Sequence, residues 1–216
     1  MKNIMENLCD NIAFALCQSK DKTCDEYEVL RYGVFVFVHV CNAVILTIIF
    51  GLLTGTFFEI CIISLMAALM KRNSGGVHCS SPNRCIITGI IISYVFALIG
   101  KNLVNVKLEI LYVLNIIILI HSFLVIYIKC PVPSKNKPLK KESIRRKLRK
   151  NALCIYFICV ALFIISIILG LLGISYNINS LVLYIILGIY MQVFALTTFG
   201  SKFILFIDKV LLKIKV

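Results

Sequence analysis

The chain has 216 residues, of which 60% are hydrophobic, and its mean hydropathy is +0.97. Soluble domains are only about 45–50% apolar, so the composition excludes a soluble or secreted protein. The formal net charge is +13. Basic proteins often bind nucleic acid, but here the basic residues flank apolar stretches. Anionic membrane lipids are therefore the expected partners, docking of an acidic peptide stays open, and no nucleic-acid partner is expected.

Residues 1–31 form the first segment, which we assign to the cytoplasm. The segment is polar and contains acidic residues, so it lacks the pattern of a signal peptide. Apolar residues recur every four positions at Ile4, Leu8, Ile12 and Leu16, which predicts an amphipathic helix. This helix is expected either to lie on the inner leaflet or to pack on the protein's own loops.

Residues 32–207 are predicted to form one membrane domain of transmembrane helices. Continuous apolar runs favour helices over the alternating strands of a β-barrel, so the fold class is an all-α integral membrane protein. The second run is short for a span and is expected to tilt or to thin the bilayer. The six predicted spans are 32–51, 56–70, 85–100, 107–128, 152–173 and 179–200.

The distribution of basic residues predicts the orientation. Lysine and arginine number 4 before the first span, then 0, 3, 2, 10 and 0 in the five connections, and 4 after the last span. By the positive-inside rule, both termini and the second and fourth connections are cytoplasmic. The fourth connection, 129–151, is a basic loop, and 208–216 is a basic tail.

The second connection, 71–85, contains the candidate chemistry. Of the three histidines, His78 has polar and glycine neighbours. Ser81 followed by Pro82 is typical of a helix start, which places Cys85 in the first helical turn. The positive end of the helix dipole and the adjacent Arg84 would favour the thiolate form of that cysteine.

His78 and Cys85 are seven residues apart. On one continuous helix they would be separated by about 10.5 Å along the axis, too far for a hydrogen bond. Pro82 disfavours such a helix, and glycines 75–76 would let the chain fold His78 back over the thiol. A paired cysteine and histidine is an activated nucleophile; an ordinary cytoplasmic loop is the alternative.

The ten cysteines do not suggest disulfides or a metal site. Those inside the spans act as small apolar fillers, and the others lie on the predicted cytoplasmic side, where thiols stay reduced. No CxxC pair or second histidine completes a tetrahedral zinc site around His78, Cys79 and Cys85. No metal or other cofactor is therefore expected, and Cys79 is either a second reactive thiol or a small filler.

Taken together, these motifs resemble the AgrB family of membrane cysteine endopeptidases. The similarity rests on Gly-Gly-Val-His at 75–78, on Cys85 seven residues after the histidine, and on the six-span layout. It extends to Cys-Pro-Val-Pro at 130–133 and to Asn-Lys-Pro-Leu at 136–139. The resemblance implies that Cys85 is the nucleophile and that His78 is the general base.

The resemblance also implies a substrate and a product. The substrate would be an AgrD-like propeptide with an amphipathic leader and an acidic tail. Cys85 would cleave off the tail through a thioester acyl-enzyme, and a core cysteine or serine would then close a thiolactone or lactone ring, giving an autoinducing peptide for quorum sensing. The protein would lie in the bacterial cell membrane with its active site on the cytoplasmic side. A homodimer stays open.

Substrate contacts are expected from a mostly basic set of residues. The family often has arginine where this chain has Lys71, and lysine lacks the bidentate fork of arginine, so Arg72 is an alternative carboxylate clamp. Charge complementarity to an acidic tail adds the basic loop. The expected residues are Lys71, Arg72, Gly76, Lys140, Lys141, Arg145 and Arg146.

The rival hypothesis is a non-enzymatic membrane transporter or a peptide-export partner. Transporters usually place ionisable residues within their spans, and here only His39 and His121 lie well inside. For the enzyme, no residue that orients His78 can be chosen among its polar neighbours in sequence. The oxyanion hole is expected from backbone amides at the start of the third span.

Overall fold

The computed structural model describes residues 4–17, 25–133, 141–173 and 176–214. Within these residues the chain forms α-helices joined by short connections, and it divides into two compact units, residues 1–49 and 50–216. The helices are α1 (Ile4–Leu16), α2 (Asp25–Thr54), α3 (Phe57–Ser74), α4 (Pro82–Val104), α5 (Leu108–Lys129), α6 (Glu142–Leu171), α7 (Tyr176–Leu196) and α8 (Thr198–Lys213).

The first unit is built from α1 and most of α2. A small cluster of Ala13, Cys17 and Tyr27 is buried between them. Leu8 and Leu16, two members of the predicted apolar stripe, are 49% and 59% exposed. These two side chains are therefore not covered by the described part of the first unit, and contact of the stripe with a leaflet stays a prediction.

Several helices are suited to crossing a membrane. By length and composition, α2, α4, α5, α6 and residues 177–196 of α7 qualify among the described residues, so the chain is a helical integral membrane protein. The second predicted span is α3, which has 18 residues and includes Glu59, Lys71 and Arg72. Its charges place it outside that group, and the sixth span stays a prediction.

Helix α7 lies at the centre of the second unit, where it packs against α3, α4, α5, α6 and α8. Leu183, Ile189 and Val193 are essentially inaccessible on it. A Cβ added at Gly188 would lie 2.7 Å from the Cβ of Met66 on α3. Glycine therefore permits the close approach of α3 and α7, as small residues do between membrane helices.

Two predicted boundaries differ from the structure. The sixth predicted span runs to residue 200, but α7 ends at Leu196 and α8 begins at Thr198. Thr197 causes the break, because its Oγ1 accepts a hydrogen bond from the Gly200 amide at 3.0 Å and so caps the new helix. The predicted basic loop 129–151 is also partly helical, since α6 begins at Glu142.

Candidate active site

The loop that carries His78 starts where α3 ends. Gly75 ends the helix with φ of 70°, and its amide donates to the Lys71 carbonyl at 3.0 Å. Positive φ favours glycine, and a Cβ at this position would overlap the carbonyl oxygen of Val132. Gly75 forms a parallel bridge with Val132, whose amide donates to the Ser74 carbonyl at 2.8 Å. The loop is thus joined to the segment that follows α5.

A buried amide from α7 fixes the same end of the loop. Gln192 is only 4% exposed, and its Nε2 donates to Ser74 Oγ at 3.0 Å and to the Gly75 carbonyl at 2.8 Å. Buried polar groups of this kind are stable only when hydrogen-bonded. Nothing in the sequence marked Gln192, because a glutamine inside an apolar run has no partner visible in the pattern.

The other end of the loop is the start of α4. Ser81 has extended backbone angles, Pro82 is at the first helical position, and the Cys85 amide donates to the Ser81 carbonyl at 3.0 Å. The helix start predicted at Ser81 and Pro82 is confirmed, although the Ser81 side chain makes no capping hydrogen bond. Cys85 therefore lies in the first turn, at the positive end of the helix dipole.

The thiol of Cys85 is half-buried and has two polar neighbours. Lys71, at the end of α3, places its Nζ 3.9 Å from Sγ. Cys79 is the second neighbour. A hydrogen bond to Cys85, followed in size by burial, raises the pKa of the Cys79 thiol well above its usual range. Cys79 thus stays protonated. Its hydrogen bond, against the opposite effect of burial, favours the thiolate of Cys85, and the ammonium of Lys71 adds to it.

His78 is exposed and lies near enough to Cys85 for its charge to act on that sulfur. Among the described residues no hydrogen bond joins the two side chains. Catalytic hydrogen bonds are often long without substrate and tighten in the complex, so their pairing stays a prediction.

The partner of Arg84 differs from the one expected from the sequence. Its Nε donates to Asp208 Oδ1 at 2.9 Å, and the two side chains are 13% and 8% exposed. The guanidinium is paired with a carboxylate of α8, so its charge is compensated next to Cys85. Lys71 is the cation that contacts the thiol.

Asp208, like Gln192, is a polar residue of this site that the sequence analysis missed. It lies on the buried face of α8, and its Oδ2 accepts hydrogen bonds from the Ser80 amide at 3.0 Å and from Ser80 Oγ at 2.6 Å. These hydrogen bonds from Ser80, more than the pairing with Arg84, hold the pKa of the Asp208 carboxyl below its usual range. The available sequence signal was a single acidic residue in an otherwise basic and apolar tail.

The expected substrate-contacting residues are only partly brought together. Lys71 contacts Cys85, and the buried Gly76 lies beside Gln192, where an added Cβ would be 3.4 Å from Nε2. Arg146 is exposed and pairs with Glu142 one turn back, at 2.7 Å. Three further members, Arg72, Lys141 and Arg145, are exposed.

Lys140 and the segment 136–139 lie outside the described residues. Arg149, which was not predicted, donates to the Cys130 carbonyl at 2.7 Å. The described residues include no cluster of three or more histidine, cysteine or acidic side chains arranged to hold a metal.

Comparison with known proteins shows which family the chain is similar to. The family model described as accessory gene regulator B matches residues 2–196. An AgrB-like protein of Clostridium perfringens strain SM101 is 31% identical over 208 residues, which cover 95% of this chain and 97% of that protein. An AgrB-like protein 2 of C. perfringens strain 13 is 28% identical over 212 residues, with the same coverage. No solved structure matches the chain significantly.

Proposed function

Because the chain belongs to the accessory gene regulator B family, we propose that it is a membrane cysteine endopeptidase. It would remove the C-terminal tail of an AgrD-like propeptide and allow cyclisation to a quorum-sensing autoinducing peptide. One observation carries the proposal: the Cys85 thiol lies in the first turn of α4, 3.9 Å from the Lys71 ammonium. A helix N-terminus and a nearby cation are the two features that activate cysteine nucleophiles.

In the first step the Cys85 sulfur attacks the carbonyl carbon at the junction of the peptide core and its tail. His78 takes the proton of the Cys85 thiol, the C–N bond breaks as a thioester forms on Cys85, and His78 then gives that proton to the leaving tail amine. His78 is exposed beside the thiol, so it can reach a substrate bound over the loop. Backbone amides at the start of α4 would stabilise the oxyanion.

In the second step a cysteine or serine in the peptide core attacks the thioester and displaces Cys85. Exchange of one thiol for another in a thioester costs little free energy, because the bond broken and the bond formed are of the same type. The acyl-enzyme therefore preserves the free energy of the cleaved acyl group for ring closure. Water must be kept from the thioester, and the half-buried position of Cys85 favours this.

The substrate features follow from charge. Exposed basic residues, Arg72 in the last turn of α3 and Lys141 and Arg145 at the start of α6, are suited to bind an acidic tail. The exposed Leu8 and Leu16 of α1 suit contact with a membrane surface. Both termini and the connections that contain His78 and Lys141 would then be cytoplasmic, in line with the excess of basic residues there.

The test is a tail-release assay on the full chain in lipid vesicles. The substrate is the propeptide encoded by a neighbouring short reading frame with an amphipathic start, a Cys or Ser core and an acidic end. Wild type should release the tail and show the acyl adduct on Cys85 by mass spectrometry, whereas Cys85→Ala should release none. Cys154→Ala, a change at an exposed thiol of α6, is the matched control and should cleave normally.

Two results would contradict the proposal. Tail release by Cys85→Ala would remove Cys85 as the nucleophile. A membrane-inserted wild type that leaves the propeptide intact would favour the non-enzymatic hypothesis. Orientation has its own check: thiol reagents that cannot cross the membrane should miss Cys85 in intact cells but label cysteines introduced at Thr54 and Asn177, and the reverse pattern would invert the proposed topology.

A further inference from the structure

Asp208 connects the C-terminal helix to the loop between His78 and Cys85. Ser80 lies inside this loop, and Arg84 directly precedes the nucleophile. The Asp208 carboxylate uses both oxygens: Oδ2 accepts from the Ser80 amide at 3.0 Å and from its hydroxyl at 2.6 Å, and Oδ1 accepts from Arg84 Nε at 2.9 Å. Arg84 Nη2 also donates to Ser80 Oγ at 2.9 Å, which closes a ring of hydrogen bonds among three side chains.

Asp208 lies on the buried face of α8, where desolvating a carboxylate costs free energy unless its hydrogen bonds offset that cost. Ile204 and Leu211, one turn before and one turn after it, are 9% exposed, and Asp208 itself is 6% exposed. An apolar residue on this buried face would pack without the cost of desolvating a carboxylate. Hydrogen bonds to a charged group are about twice as strong as neutral ones, and here all of them go to the loop that carries the candidate nucleophile.

The hydrogen bonds restrict the loop at two points, Ser80 and Arg84, which are separated by one helical turn across the start of α4. Since Gly75 and Gln192 hold the other end of the loop, His78 is left as the exposed part between two anchored points. The family model matches only up to residue 196, so α8 and its carboxylate lie beyond the matched region.

We propose that Asp208 is a positioning residue of the endopeptidase, which holds Ser80 and Arg84 so that Cys85 and His78 face the scissile bond together. This proposal rests on the proposed function. Asp208 does not touch the reacting atoms. Asp208 acts through the loop, so α8 contributes to catalysis by positioning the residues of the active site.

The experiment uses the full chain in vesicles with the same propeptide. Asp208→Asn keeps the shape of the side chain and removes the charge, so it should lower kcat for tail release by about 10–100-fold while KM changes by less than about threefold. Asp208→Glu restores the carboxylate and should recover part of the rate. Lys209→Gln, the same size of charge change at an exposed neighbour on α8, should match wild type.

Titration of Cys85 with iodoacetamide, scaled by the fraction of the buried Cys130 that stays unmodified, gives the amount of folded enzyme in each preparation by peptide mass spectrometry. A residue that only stabilised the fold would reduce this amount but leave kcat per titrated Cys85 unchanged. The positioning role instead predicts that the kcat loss persists after this correction. Wild-type kcat per titrated Cys85 in Asp208→Asn would overturn the proposal.

A double-mutant cycle tests whether Asp208 acts through Arg84. Arg84→Gln together with Asp208→Asn leaves no unpaired buried charge, so the double variant should lose less than the product of the two single losses. If Asp208→Asn cannot be prepared, Ser80→Ala should lower kcat several-fold, and an unchanged kcat there would count against the proposal. If wild type itself fails to cleave, it is the proposed function that fails, since Asp208 is judged only by variants compared with an active wild type.

Discussion

Cys85 and Cys130 both lie near the loop that carries His78, and they differ in almost every property that controls the reactivity of a thiol. Cys85 is in the first turn of α4, where the helix dipole is positive, while Cys130 directly follows the last turn of α5, where it is negative. Cys85 accepts from the Lys71 ammonium, and Cys130 donates to the Asn73 carbonyl at 3.9 Å. One environment favours the thiolate and the other keeps the proton on sulfur.

Burial of the Cys130 side chain increases the difference between the two thiols. The Cys130 side chain is inaccessible, and this burial raises the pKa of its thiol to about 11, with a smaller opposite contribution from Arg149. Cys130 belongs to the buried core two residues before Val132, which bridges Gly75, and its carbonyl accepts a hydrogen bond from Arg149. Two cysteines that look alike in the sequence therefore have opposite environments: that of Cys85 suits a nucleophile, and that of Cys130 suits a buried packing residue.

The largest expected effect is a contrast in alkylation. With a pKa of about 11, only about one Cys130 thiol in 10⁴ is ionised at pH 7. Cys85 should therefore react with iodoacetamide at least about 10³-fold faster. The Cys130 rate should rise about tenfold for each pH unit between 7 and 10, because thiolate forms as the pH approaches the pKa. Peptide mass spectrometry after timed quenching measures both sites in one sample.

Equal alkylation rates of Cys85 and Cys130 at pH 7 would contradict the proposed difference between the two thiols. The denatured chain supplies the control, because both thiols then lose their helix ends and their partners, and their rates should converge. If the two rates still differ after denaturation, the contrast comes from local sequence rather than from the fold.

The next effect concerns His78. Replacing it with alanine should slow tail release by about 10²–10⁴-fold, which is the usual contribution of a positioned proton-transfer group. Alkylation of Cys85 should fall much less, since Lys71 stays within 3.9 Å of the sulfur and alkylation needs only the thiolate. Raising the pH should recover only the part of the lost cleavage rate that comes from reduced ionisation of Cys85, which the alkylation assay measures separately.

Wild-type cleavage by His78→Ala at pH 7 would remove the base from the mechanism and leave residues 75–78 as a structural loop. If cleavage and alkylation fell by the same factor, His78 would act only on ionisation of the thiol and not on proton transfer to the leaving amine. The two assays together therefore separate the possible roles of the histidine.

The sequence predicted the helical membrane fold and the start of α4, because both depend on local patterns. Long apolar runs can only be helices in a bilayer, and Ser81 with Pro82 sets a helix start through backbone geometry alone. The break at Thr197 was missed because apolar residues continue on both sides of it, so hydropathy does not change where the helix ends.

The partners within the site could not be predicted, because they come from distant parts of the chain. Asp208 meets Ser80 across 128 residues, and Gln192 meets Ser74 across 118. Arg84 was expected to act on its sequence neighbour Cys85, but it forms an ion pair with the Asp208 carboxylate of α8. Adjacency in sequence suggested the wrong cation, and only the packing of α3 beside α4 identifies Lys71.

The smallest expected effect tests that cation. Two unit charges about 4 Å apart interact by roughly 1 kcal/mol in water and about 4 kcal/mol near a protein surface. For the half-buried Cys85, Lys71→Gln should therefore raise the pH at which alkylation reaches half its maximal rate by about one unit, and the difference from wild type should shrink in 1 M salt. Lys101→Gln is the matched control, because it removes one charge from the far end of α4, about 24 Å along the helix axis. Cys130 serves as an internal reference in both variants, since its pKa is set mainly by burial and then by Arg149. A shift by Lys101→Gln as large as that by Lys71→Gln would mean that net charge, rather than the 3.9 Å contact, activates the thiol. Cys85 would then differ from Cys130 through its helix end, its exposure and its hydrogen bond with Cys79.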